Sequence, residues 1–236
     1  MKKLFYTILS KQKVFLALFL LAFIAMGTLL FFVPKTDLHL LLNSYHSPNL
    51  DVFMLYYSDI VKWLPVVVGI GLFLYKFWYG AFFASNVLLV TLIVQPIKTL
   101  VNAPRPITFF TALNLQDLLP IVEGLKLHAW RSFPSGHTAN FFLLFFTLSI
   151  LVALHCRGRK VVIFNALFFF LALLGGYSRI YLSQHFTNDV WIGMFIGCFC
   201  CLICIFAWIK ILHHTKQNKF LKYSVWNKLL KKYKYA

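Results

Sequence analysis

A run of about 20 apolar residues is long enough to cross a bilayer as a helix, the one local fold that satisfies its own backbone in lipid. This chain holds such runs at 14–33, 80–97, 135–155, 161–177 and 190–212, and a shorter one at 63–75 with aromatic flanks. The pattern predicts an all-α, polytopic membrane helix bundle with six transmembrane helices. A single membrane-embedded domain over 1–236 is expected, ending in a basic tail at about 213–236. The polar segment 50–60 reads as a short interfacial helix ahead of the second span, and 115–125 as another short helix in the longest connection. The first run has too long an apolar core for a signal peptide and is read as a retained helix.

Composition agrees and excludes other classes. Of the 236 residues, 61% are hydrophobic and 12% are charged, against about a quarter charged in soluble domains. The formal net charge of +17 does not point to nucleic acid, because many of the charges lie in the termini and short connections, where anionic headgroups attract them. Four of the five cysteines, Cys198, Cys200, Cys201 and Cys204, sit inside one apolar run and read as packing residues without metal-binding partners.

Six spans place both ends on one side. That side collects about 16 basic residues, including Lys2, Lys3, Arg157, Arg159 and the lysines from Lys210 onward, and the other about 7. The positive-inside rule assigns the richer side to the cytoplasm. The seven outer cations are Lys35, Lys62, Lys98, Arg105, Lys126, Arg131 and Arg179.

Three polar clusters interrupt the apolar pattern, and all fall on that outer side. In the first, Lys98 and Arg105 stand seven residues apart, two helical turns, so that both can face one anion. In the second, Ser132-Phe133-Pro134-Ser135-Gly136-His137, a helix starts where Ser135 and Gly136 offer backbone N–H groups as an anion cradle. The third runs from Ser178 to Asp189. Asp189 follows His185 by four residues, one helical turn, which lets its carboxylate fix the histidine tautomer. These residue types suit displacement at phosphorus. Lys98, Arg105, Arg179 and the Ser135 and Gly136 amides stabilise the equatorial oxygens. His185 attacks, Asp189 orients it, and His137 protonates the leaving oxygen and then activates water. With one carboxylate in the motifs, no metal and no cofactor are expected. Arg131 is a candidate substrate contact outside the motifs. His39, His46, His128, His155, His213 and His214 read as interface or loop residues.

The order Lys98/Arg105/Pro106, Pro134 to His137, and Ser178/Arg179/His185/Asp189 resembles the three-part signature of the type 2 phosphatidic-acid phosphatase superfamily. The resemblance extends over essentially the whole chain, since the six-span layout also matches. It implies a metal-independent lipid phosphatase that works through a phosphohistidine at the periplasmic face of a bacterial inner membrane. Its substrate is then a membrane lipid, with lipid A preferred and undecaprenyl pyrophosphate or phosphatidylglycerol phosphate as alternatives. A lipid-to-lipid phosphotransferase shares every motif. A non-catalytic lipid transporter and a vanadate-dependent haloperoxidase are the readings from other classes.

Overall fold

The computed structural model describes residues 2–214, all of its regular structure helical. In chain order the helices are α1 (Lys2–Ser10), α2 (Lys13–Phe32), α3 (Lys35–Leu42), α4 (Pro48–Tyr75), α5 (Phe77–Val101), α6 (Pro106–Ala112), α7 (Gly136–His155), α8 (Arg159–Tyr181) and α9 (Thr187–His214). Six of them, α2, α4, α5, α7, α8 and α9, are long and apolar enough to cross a membrane. The predicted tail beyond His214 lies outside the described residues.

Lipid tails are as apolar as leucine, so helices in a bilayer associate through close packing rather than hydrophobic exclusion. The centre of this bundle shows that economy. Helix α7 is the most enclosed span and packs against α4, α5, α8 and α9. Its Phe141, Phe142 and Phe146 are fully buried, and Phe146 stacks on Phe15 of α2 at 4.6 Å between ring centroids. Helix α9 approaches at backbone distance because it presents glycines. A Cβ on Gly193 would meet the Ser135 carbonyl oxygen at 2.7 Å, and one on Gly197 would meet that of Ala139 at 2.4 Å.

Three local expectations are corrected. The segments 50–60 and 63–75 form one continuous helix of 28 residues, α4. Asp51, Asp59 and Lys62 break the hydropathy there but not the helix, since helix propensity tolerates them. At about 42 Å α4 exceeds the hydrocarbon thickness, so it carries its polar residues beyond the apolar slab. The predicted helix at 115–125 is only a 3₁₀ turn at Gln116–Leu118. The helix in that connection is instead α6, started by Pro106 at its first position, where a missing N–H costs nothing.

Candidate active site

The three polar segments meet at one end of the bundle, where α5 and α8 finish and α7 and α9 begin. The first is not a continuous helix. Asn102 adopts φ +40°, in the left-handed region, and ends α5, so Lys98 and Arg105 are brought together by a turn rather than by two helical turns. Lys98, 9% exposed, donates from Nζ to the carbonyls of Arg131 at 2.7 Å and Ser132 at 3.4 Å. Arg105 precedes α6 and donates through Nη1 to Gln184 Oε1 at 2.8 Å and through Nε to the Trp130 carbonyl at 3.1 Å.

The second segment enters α7. Ser135 caps the helix, its Oγ accepting from the Thr138 N–H and hydroxyl. Its own N–H donates to the Asp189 carbonyl at 2.9 Å. That amide is therefore taken within the protein, which corrects the expected pairing of the Ser135 and Gly136 amides as a free cradle. A Cβ on Gly136 would stand 3.7 Å from Lys98 Cε, which places the start of α7 against the end of α5.

The third segment is a tight turn between α8 and α9. His185 lies in this turn rather than in a helix, and its N–H and that of Gln184 both donate to the Arg179 carbonyl. Asp189 is the third residue of α9. Its Oδ2 accepts from the Phe186 N–H at 2.9 Å, as an acidic residue at this position does when it reaches back to cap a helix. The same oxygen accepts from Ser132 Oγ at 2.5 Å and lies 3.5 Å from His185 Nδ1. Ser132 Oγ is itself 3.4 Å from Nδ1. Both ring contacts thus go to Nδ1. Burial comes first, and then the charges of Arg105, Arg179 and Lys98, in holding the His185 imidazole well below its ordinary pKa.

Arg179 is 5% exposed and donates from Nη1 to Ser58 Oγ of α4, while its buried Nε has no partner. His137 Nε2 is likewise buried and unpaired. Arg105, His137, Arg179 and Gln184 line a cavity of about 340 Å³. Arg131 does not: its guanidinium donates to Gln95 and Thr99 on α5. Among the described residues no three His, Cys, Asp or Glu side chains converge as a metal-ligand set. Two buried, unpaired nitrogens facing a cavity with two guanidinium groups fit a polyoxyanion better than any neutral ligand.

A family model described as the PAP2 superfamily matches residues 77–212. The chain belongs to the PAP2 superfamily. It is 30% identical over 172 residues to the lipid A 4'-phosphatase of Bacteroides thetaiotaomicron, covering 70% of this chain and 72% of that one. It is 29% identical to phosphatidylglycerophosphatase B of Bacillus subtilis, over 57% of this chain and 61% of the relative. The crystal structure of Aquifex aeolicus LpxE superposes with a TM-score of 0.59 at 32% identity, covering 72% of this chain and 94% of that one.

All three motifs fall within the PAP2 match, and residues before it complete the site. Ser58 of α4 holds Arg179, and no sequence signal distinguishes it from other interfacial serines. Gln184 and Ser132 stand inside the predicted clusters without a predicted role. His39, read as an interface residue, is fully buried on α3 with Nε2 3.4 Å from Ser183 Oγ.

Proposed function

We propose that this PAP2 lipid phosphatase removes a phosphate from lipid A at the outer face of a bacterial cytoplasmic membrane. The observation that carries the reading is the sharing of Asp189 Oδ2 by Ser132 and His185. A carboxylate held at Nδ1 keeps the ring tautomer in which Nε2 bears the lone pair. Nε2 attacks phosphorus as the bond to the leaving lipid oxygen breaks, and protonated His137 gives that oxygen its proton. Water then attacks the phosphohistidine, losing a proton to His137, while the phosphorus–nitrogen bond breaks and phosphate leaves. Lys98, Arg105 and Arg179, with the helix-start amides, stabilise the charge on the three equatorial oxygens. In the resting site the three cations are held by carbonyl and hydroxyl oxygens, uncharged partners that a phosphate readily outcompetes.

Lipid A is favoured by the Bacteroides relative, the longest curated match reported above. Phosphatidylglycerol phosphate is the second reading, favoured by the Bacillus relative. The outward site and cytoplasmic termini are supported by the bias of basic residues, about 16 against about 7.

Reconstitution in liposomes containing lipid A tests this. The chain is expected to release inorganic phosphate and leave a lipid lighter by one phosphate. The rate is expected to be unchanged by chelators and suppressed by vanadate. No release from lipid A alongside turnover of phosphatidylglycerol phosphate moves the assignment to the second reading. An absolute magnesium requirement contradicts the mechanism.

A further inference from the structure

The cavity holding Arg105, Arg179 and His137 has a second cationic wall that none of the steps above uses. Lys62 of α4, together with Lys126 and His128 of the connection before α7, also lines it. This wall is a built surface and not a pair of stray lysines. The connection that presents Lys126 and His128 is fastened to the site by Gln184 Nε2, which donates to the Lys126 carbonyl at 3.3 Å. Further along, the Arg105 N–H and Thr108 hydroxyl both donate to the Ala129 carbonyl, at 2.9 and 2.8 Å. Lys62 is held by Asp59 at 2.7 Å, and Asp59 also lines the cavity.

The two walls share one electrostatic field. His128 is exposed, yet its imidazole is lowered by desolvation and then by the charges of Arg105, Lys126, Arg179 and Lys62, all of which line the cavity. Four cations around one cavity, with Asp59 as the sole acid lining it, exceed what a single phosphate neutralises. Like charges gathered this closely repel unless an anion bridges them.

We propose that Lys62, Lys126 and His128 form a second anion subsite that takes a further phosphate on the same lipid headgroup, so that the preferred substrate carries two phosphates. One is held at Arg105 and Arg179 for reaction, and the other at the rim for recognition. This rests on the phosphatase reading above and narrows its substrate class. It gives Lys126 a place in the cavity wall, whereas the Arg131 guanidinium is turned onto α5.

The test compares the double variant Lys62→Gln/Lys126→Gln with the unsubstituted chain on lipid A bearing two phosphates and on the same lipid bearing one. For the bisphosphorylated lipid kcat/KM is expected to fall about a hundredfold, two lost charge-assisted hydrogen bonds at about tenfold each, with the monophosphorylated lipid changed far less. An equal loss on both lipids, or no loss on either, overturns the subsite. Equilibrium binding of the two lipids by the His185→Ala chain, with and without the rim substitutions, separates this from the function itself. A preference for the bisphosphorylated lipid that the rim substitutions erase supports the subsite even if the unsubstituted chain releases no phosphate. Absence of that preference overturns the subsite whatever the turnover.

Discussion

Asp189 Oδ2 gathers the Ser132 hydroxyl, the Phe186 N–H and the Nδ1 edge of His185, so a single oxygen meets an imidazole, a helix start and the junction of two motifs. Asp189→Asn keeps the size of the side chain but loses the charge that orients the ring. Turnover is expected to fall by roughly 10⁴, as when the orienting carboxylate of a serine-protease histidine is removed. A phosphate-release assay on the folded variant checks this. The pH dependence follows from burial. A free imidazole takes a proton near pH 6.5, but the buried His185 ring, beside Arg105, Arg179 and Lys98, stays neutral well below that. Activity is therefore expected to persist as pH falls through 6.5, with the acid limb of kcat/KM displaced downward. Stability runs the other way. His39 is lowered to about 4, first by burial, so between pH 6.5 and about 4 the unfolded chain binds a proton that the folded chain refuses. Stability is full above 6.5 and falls as pH drops through that window. Thermal unfolding in detergent should show the fall, reduced in His39→Gln.

At the scale of elements the site depends on how closely α9 can approach α7. A methyl group on Gly193 would press on the Ser135 carbonyl, one residue from Gly136 and two from His137. Gly193→Ala is expected to cost about 1–3 kcal/mol of stability through overpacking and to lower kcat at least tenfold by displacing the start of α7. Gly71→Ala, with nothing within 4 Å of its Cβ, should leave both unchanged, as paired unfolding and turnover measurements can show. The same elements mark how far the sequence could be read. Apolar runs of bilayer length announced six spans, because lipid demands that pattern wherever a helix crosses. Helix α4 was split in the sequence reading because hydropathy measures preference for lipid rather than helicity. Its Asp59 and Lys62 line the cavity. Pro106, which cannot continue a helix from its N-terminal side, instead begins α6. The spacing of Lys98 and Arg105 suggested two continuous helical turns, whereas the αL residue Asn102 ends α5 between them. The proximity of Ser58 to Arg179 depends on tertiary packing alone and leaves no trace in local pattern.

For the molecule as a whole, alternating helix direction brings the ends of α5 and α8 to the starts of α7 and α9. Segments separated by dozens of residues thereby close on one cavity. Backbone groups tie them: the Ser135 amide bonds the Asp189 carbonyl, the Ser132 amide that of Ala103, and the Arg105 amide that of Ala129. Polar and ionisable groups are costly in an apolar bundle and mark functional sites, and under the proposed function one tetrahedral anion would partner the orphaned nitrogens of His137 and Arg179 together. Within that assembly His185 is proposed to be the phosphoryl carrier, the role on which the whole mechanism depends. Rapid quenching of the His137→Ala chain with its phosphorylated lipid, followed by peptide mass spectrometry, tests it most directly. Loss of His137 slows both the first transfer and water attack, and phosphate is expected on residue 185 at the quench and absent from a chain that also carries His185→Ala. Slow turnover with phosphate on another side chain, or on none, would contradict it.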